Sequence, residues 1–388
     1  IICSIINDLL YSRHSAPTSD QHETMNTVQP ILFSSSIADK TIAAGSIFIC
    51  IACFFTPLST SLMGIFSGLA VLCWLLSGQF LHISGSLKTY PATLVSLLFF
   101  LFMCLALSYS PADVSEGVTV LKKYRELLLL PIVVSILSLS NRYRFLAETA
   151  FICGCITLMM ISYGIAFQLI PEDRYGHSIV FHITHNFFMA VLAFWSLHNA
   201  ASSEKFRWFW GGIFLLSVGN IFYVAPGRTG MFVFICLMLL FMFQRLSIKY
   251  CIICIIIFCA ALAAVYHTSD NFSDRIDRGV KEVKNYKPGK ARTSIGQRFD
   301  WYKSGITLIK EKPIFGYGTG SYPYVQKVAV KGTRIKPTDN PHNEFLFLTI
   351  QFGFFGLLLF MALIGTQIFF ARKIVPEKQM LLHLSLIH

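Results

Sequence analysis

The residues best suited to chemistry in this chain are one histidine and a few cations set at the edges of apolar stretches. In PHNEFLFLTIQFGFFG, residues 341–356, His342 stands just before a helix-length apolar run. The N-terminus of such a helix offers free amide donors and a field that favours anions. An imidazole titrates near neutral pH, and neighbouring cations keep it unprotonated, so it is able to take a proton from a hydroxyl. A lone histidine at a span boundary is more commonly an interfacial polar residue, and its surroundings decide between the two readings.

The cations fall in three other segments. In APGRTGM, residues 225–231, one proline and two glycines break the helical pattern, and Arg228 has no acidic neighbour in sequence. Its planar fork suits phosphate oxygens, with a turn arginine touching lipid headgroups as the alternative. In ARTSIGQRFDWYKSGITLIKEKPIFGYGTGSY, residues 291–322, the spacing predicts a helix from Gly296 to Lys310 with Phe299, Tyr302, Ile306 and Ile309 on one face. Arg298 lies one turn before Tyr302; it either points into the same cavity as that face or pairs with Asp300 or another carboxylate. Gly316, Gly318 and Gly320 end the helix and permit a close backbone approach. In LKKYRELLLLP, residues 121–131, Lys122, Lys123, Arg125 and Glu126 sit at one end of an apolar run, with Arg125 and Leu129 one turn apart. They read equally as headgroup contacts or as ligand contacts.

Other chemistries find less support. His182 and His185 lie three apart in GHSIVFHITHNFF, with His177 behind them, but no acidic residue accompanies them, so polar lining is favoured over a metal site. The two CxxC pairs, Cys50 with Cys53 and Cys251 with Cys254, sit within apolar runs and read as packing cysteines. There is no GxxxxGK[ST], and GYGTG at 316–320 lacks the strand and helix that a dinucleotide fingerprint requires. ATP-driven transport and nucleic-acid binding are therefore unsupported. A solute transporter would need paired charges deep within its spans, which this sequence does not show.

Positioning these residues is a task for membrane-spanning helices. Of the 388 residues, 54% are hydrophobic and 13% charged, and the apolar residues come in helix-length runs. About twenty such residues cross ~30 Å of hydrocarbon. Spans are expected near 39–58, 61–80, 91–109, 123–140, 146–170, 178–200, 208–225, 229–244, 249–267 and 343–371, and the tail MLLHLSLIH reads as a further span cut short. The expectation is an all-α, polytopic transmembrane helical bundle of about 10 to 12 spans with one large, partly helical periplasmic loop. Residues 1–36 form a leader or cytosolic tail, of which 1–24 precede Met25 without the pattern of a cleavable signal. The bundle occupies 37–266, the loop 267–341, and the C-terminal segment, expected to be truncated, 342–388.

Orientation follows from the short loops. If the end near Met25 is cytosolic, loops on that side carry Lys88, Arg142, Arg144, Lys205, Arg207, Arg245, Lys249, Arg372, Lys373 and Lys378. The stretch from His267 to Pro341 then lies outside. It holds 15 Lys or Arg against 7 Asp or Glu, most of the net charge of +12, and its expected partners are phosphates.

Together these motifs resemble the O-antigen ligase and polymerase superfamily of bacterial inner membranes over residues 37–371. His342, Asn343, Gly353 and Gly356 fit the ligase pattern H[NSQ]x9Gxx[GTY], and Arg125 with Leu129 fits the companion Rx3L. GRTG around Arg228 and the run through Arg298, Trp301 and Gly316 are similar to further family features. The resemblance implies transfer of a glycan from undecaprenyl diphosphate to lipid A-core at the periplasmic membrane face, with no metal or other cofactor. It implies that Arg228 and Arg298 clamp the diphosphate with help from Arg125 and Lys122. His342 would act as base, Asn343 would orient it, and Gly316 and Gly353 would support the site. A polymerase or a protein O-oligosaccharyltransferase of the same superfamily would differ in the acceptor.

Overall fold

The computed structural model describes residues 35–172, 175–225, 227–289 and 291–373. The leader before residue 35 and the tail from 374, including the expected further span and Lys378, lie outside the described residues. Among the described residues the secondary structure is helical, without strands. The helices are α1 (Ser35–Phe55), α2 (Thr60–Leu76), α3 (Ile83–Thr89), α4 (Pro91–Leu105), α5 (Val114–Lys123), α6 (Glu126–Leu137), α7 (Asn141–Ala166) and α8 (His182–Ser202). They continue with α9 (Arg207–Gly219), α10 (Arg228–Arg245), α11 (Ile248–Thr268), α12 (Asp270–Lys284), α13 (Ser294–Glu311), α14 (Tyr322–Ala329) and α15 (Glu344–Lys373).

Ten spans were expected, whereas five helices among the described residues are long and apolar enough to cross a membrane: Ile37–Phe55, Asn141–Ala166, Arg228–Arg245, Ile248–Thr268 and Glu344–Phe369. A sixth arises if Thr60–Leu76 and Gln79–Thr89, bent by 81°, count as one. The difference has local causes. The run 123–140 is split where α5 ends and α6 begins, 208–225 ends in a π-helical turn at Asn220–Val224, and α4 has only 15 residues. The 21 residues of α8 include His182, His185, Asn186, His198 and Asn199, which dilute its apolar character. On α11, by contrast, Ile252, Ile253, Ile256 and Ile257 are each more than half exposed, an arrangement suited to lipid and costly in water.

Two apolar clusters carry the parts that matter for the site. Phe151, Met159, Met189, Phe222, Phe234 and Phe272 join α7, α8, α10, the π turn and α12. Phe99, Met103, Leu127, Leu130, Leu348 and Phe352 join α4, α6 and α15. The hydrophilic stretch after α11 is tied to the first cluster at its start: Ser269 caps α12 by accepting from Phe272 N and donates its hydroxyl to Phe222 O at 2.5 Å.

The predicted helix 296–310 is present as α13, with the Thr293 side chain capping Gly296 N. The face it packs within the bundle is not the apolar face of the period. Trp301, Gly305 and Leu308 are buried, whereas Phe299 and Ile306 are exposed. Gly305 decides this, because a Cβ there would stand 2.8 Å from Leu346 on α15, so α13 seats its narrowest surface against that helix.

The segment 313–321 enters between α15 and the end of α4. The expected span 343–371 is interrupted at Gly353, whose φ of 64° and ψ of −168° lie outside helical space. This break turns the strand-like edge of α15 toward the incoming loop. Phe354 N donates to Pro313 O (2.8 Å), Tyr317 N to Ile350 O (3.0 Å) and Gly318 N to Gln351 O (2.7 Å). Gly320 N donates to the Gln351 side chain at 2.6 Å, and Thr319 N donates to Ala106 O at 3.2 Å. A Cβ on Gly353 would meet Ile314 O at 2.1 Å, and one on Gly316 would meet Gln351 C at 2.5 Å. The close approach expected of Gly316 is thus made to the chain's own backbone.

Gly353→Ala should combine a conformation nearly restricted to glycine, costing on the order of 1–3 kcal/mol, with a backbone collision. The expected outcome is loss of monodisperse protein on size-exclusion chromatography in detergent. Gly365→Ala, where a Cβ meets nothing within 4 Å, should leave the profile unchanged.

Candidate active site at the start of α15

His342 lies in the short connection that delivers the chain to α15. Its φ of 55° is left-handed, an uncommon state for a residue with a Cβ. Asn340 holds it there by accepting the His342 N–H on Oδ1 at 2.7 Å. The carbonyl of His342 accepts a long hydrogen bond from Tyr302 Oη at 3.5 Å. The imidazole lies against the Trp301 ring, centroids 5.7 Å apart, and Trp301 is fixed in turn by donating Nε1–H to Lys336 O at 2.8 Å. Partial burial, and then the charge of Arg298, lower the His342 pKa below the ordinary imidazole value. The ring is therefore neutral, and able to accept a proton, over a wider range of pH.

Asn343 has a different part from the expected orientation of the imidazole. Its Oδ1 accepts Leu346 N at 3.1 Å and its carbonyl accepts Phe347 N at 2.9 Å, so it caps α15. The next residue, Glu344, accepts from Tyr124 Oη and stands 3.6 Å from Lys123 Nζ. These contacts pin the start of α15 to the break between α5 and α6. Glu344 was not singled out by sequence; a carboxylate immediately after His-Asn in an apolar run was the available signal.

Arg228 opens α10. It has the acidic partner that its sequence neighbourhood lacks, Glu282 on α12, with Nη2 and Oε1 3.4 Å apart. Its Nε is buried with no hydrogen-bond partner among the described residues. The turn that carries it is locked by Asn186, whose Nδ2 donates to Ala225 O at 2.9 Å, and whose side chain a Cβ on Gly227 would meet at 2.3 Å. The other oxygen of Glu282 accepts Ile295 N at 2.9 Å, at the start of α13. Glu282 therefore joins the helix of Arg228 to the helix of Arg298, and sequence reading missed it because its partners are distant in the chain.

Arg298 lies one turn beyond Ile295. The alternative of a salt bridge to Asp300 is overturned: that carboxylate is buried and accepts from Tyr286 Oη (2.8 Å) and Gly289 N (2.9 Å). Among the described residues Arg298 forms no ion pair. The charge of Arg298 acts on His342, and Arg228 is linked to the helix of Arg298 through Glu282. Lys122 and Arg125 form no ion pair among the described residues, although Lys123 and Tyr124 between them reach Glu344. Lys122 is exposed at the end of α5, and an Arg125 guanidinium nitrogen lies 3.9 Å from the Cβ position of Gly64 on α2.

The histidine trio has its own place. His185 is fully buried, with Nδ1 2.8 Å from Ser178 Oγ and Nε2 2.7 Å from Asn220 Oδ1. Both ring nitrogens are engaged, which suits a structural polar network beside the π turn. Among the described residues no three His, Cys, Asp or Glu groups converge as metal ligands.

Residues 212–361 match the family model for O-antigen ligase, a stretch that contains Arg228, Glu282, Arg298, His342 and Gly353. This match supports the superfamily that the motifs resemble. The chain is also similar to an uncharacterized protein of Haemophilus influenzae (strain ATCC 51907 / DSM 11121 / KW20 / Rd), 28% identical over 142 residues, or 35% of this chain and 36% of that protein.

If Arg298 depresses the His342 pKa, Arg298→Gln should raise it. Titration of 13C-labelled imidazoles by NMR should show the His342 midpoint shifting upward. An unmoved His342 resonance would detach the two residues.

Proposed function

We propose that this chain, whose residues 212–361 match the O-antigen ligase family, is a metal-independent inverting glycosyltransferase that moves a glycan from undecaprenyl diphosphate to a sugar hydroxyl of lipid A-core. The observation that carries this reading is an imidazole packed on Trp301 at the start of α15, its pKa lowered by burial and then by the charge of Arg298, which forms no ion pair among the described residues, with a second guanidinium tied to the helix of Arg298 through Glu282.

His342 takes the proton of the acceptor hydroxyl. The oxygen attacks the anomeric carbon from the face opposite the diphosphate, and the bond from that carbon to the phosphate oxygen breaks. Its electron pair leaves with the diphosphate, so configuration inverts. Diphosphate is a good leaving group once its charge is met, and Arg298 and Arg228 meet it. Arg228 exchanges Glu282 for the donor; a part-exposed pair of this kind contributes only about 0–1 kcal/mol, so the exchange costs little. The site faces the periplasm, where both lipid-borne substrates are presented in the inner membrane.

Purified protein, undecaprenyl-diphosphate glycan and rough lipopolysaccharide, without ATP or added metal, should give capped lipopolysaccharide. His342→Ala should lower the rate by about 10²–10⁴ with insertion unchanged. Arg298→Ala and Arg228→Ala should each lose at least about tenfold in kcat/KM for the donor. Near-normal turnover of His342→Ala removes the base from this scheme. Extension of a second lipid-linked glycan in place of lipid A-core capping would identify a polymerase.

A further inference from the structure

Four helices enclose a cavity that the proposed reaction does not use. It lies between α1, α2, α6 and α7, with about 770 Å³ of empty space counting its mouth. Leu129, Ile132, Val133, Ile136 and Leu137 of α6 form one wall, and α2 contributes Met63, Ser67, Ala70 and Val71 opposite. The α6 wall runs from Glu126 to Leu137, which at the helical rise is roughly 16 Å. The slot is lined almost wholly by hydrocarbon, which suits an apolar chain rather than water.

One end is charged. Glu126 lines the cavity where α6 begins. Arg125, the preceding residue, reaches over α2 beside Gly64, between the lining residues Met63 and Ser67. Neither side chain forms an ion pair among the described residues. A carboxylate lining the cavity and a guanidinium over α2 thus mark the same end of the apolar slot, neither in an ion pair among the described residues.

We infer that this cavity is a binding site for a zwitterionic aminophospholipid, with one acyl chain in the slot, its phosphate on Arg125 and its ammonium on Glu126. The carboxylate selects among lipids. A diphosphate-bearing carrier offers only negative charge and meets repulsion from Glu126, and a phospholipid with a glycerol headgroup leaves that carboxylate without a cation. Phosphatidylethanolamine has a phosphate and an ammonium group separated by two carbons, matching adjacent residues of opposite sign. The inference goes beyond the proposed transfer reaction and does not depend on it.

The test is native mass spectrometry of the full chain in detergent, titrated separately with phosphatidylethanolamine, phosphatidylglycerol and undecaprenyl phosphate. Wild type should hold one phosphatidylethanolamine about tenfold more tightly than phosphatidylglycerol, a difference of one charge-assisted contact. Glu126→Gln should erase that preference while keeping phosphatidylglycerol affinity, and Arg125→Ala should weaken both lipids about tenfold. Ser67→Leu with Val71→Phe should fill the slot and abolish tight retention while thermal melting stays at the wild-type temperature. Equal affinity of wild type for the two phospholipids, undecaprenyl phosphate binding most tightly, or a filled variant that binds as wild type would each overturn the assignment. If the filled variant melts early, the loss of preference in Glu126→Gln, a partly exposed position, still decides the matter.

Discussion

The arrangement rests on how backbone polar groups are satisfied where a loop enters an apolar bundle. Segment 313–321 brings amides and carbonyls among membrane helices, where an unpaired group costs several kcal/mol. The solution is reciprocal. Gly353 takes α15 out of helical geometry, which frees Ile350 O and Gln351 O for Tyr317 and Gly318, and releases Phe354 N to Pro313 O. Each backbone breaks its own regularity where the other supplies the missing partner. Both need glycine at the crossing, because side chains at 316 or 353 would occupy the space of the opposing carbonyls. His342 stands less than a dozen residues before this junction, so its position inherits the rigidity of the crossing.

Two carboxylates then set the charged groups around it. Lys123 and Glu344 are both substantially exposed, and such a pair contributes little to stability; the hydrogen bond from Tyr124 to Glu344 fixes direction more than energy. Glu282 behaves similarly: it pairs with Arg228 across 3.4 Å and receives the Ile295 amide of α13. Its value is geometric. It links the helices of Arg228 and Arg298, 70 residues apart in sequence, while leaving Arg298 without an ion pair among the described residues. Asp300 is withdrawn by Tyr286 and Gly289, which removes the nearest rival for that guanidinium.

Much of this was legible in the sequence, for particular physical reasons. The helix around Arg298 was found because a 3.6-residue period survives in isolation. Its contact with α15 was not visible, because the period of bulky side chains marks Phe299 and Ile306, whereas that contact is decided by the missing side chain of Gly305. The spacing from His342 to Gly353 was visible, and its meaning as a helix break was not, since a glycine in an apolar helix has no local cue for its φ. Among the described residues fewer helices have the length and apolarity of a span than the apolar runs predict, because composition does not register a break such as Tyr124–Arg125 or a π turn at Asn220. Glu282 and Glu344 carry no local pattern at all; each is defined by partners brought from elsewhere in the chain.

The hydrophilic segment after α11 is what makes one site out of two packed groups of helices. Arg228 belongs to the cluster of Phe151, Met189 and Phe234, while α15 belongs to the cluster of Phe99, Leu127 and Phe352. The segment holds the first through Phe272 and Glu282, and the second through Gly305 and the 313–321 crossing. Its basic composition therefore has a structural companion in these few apolar and small residues. A change in how the two clusters sit would move Arg228 relative to His342 by way of α12 and α13. For the proposed chemistry, distance between cation and base is thus set by this strap, and it is there, more than in the spans themselves, that the geometry of transfer is determined.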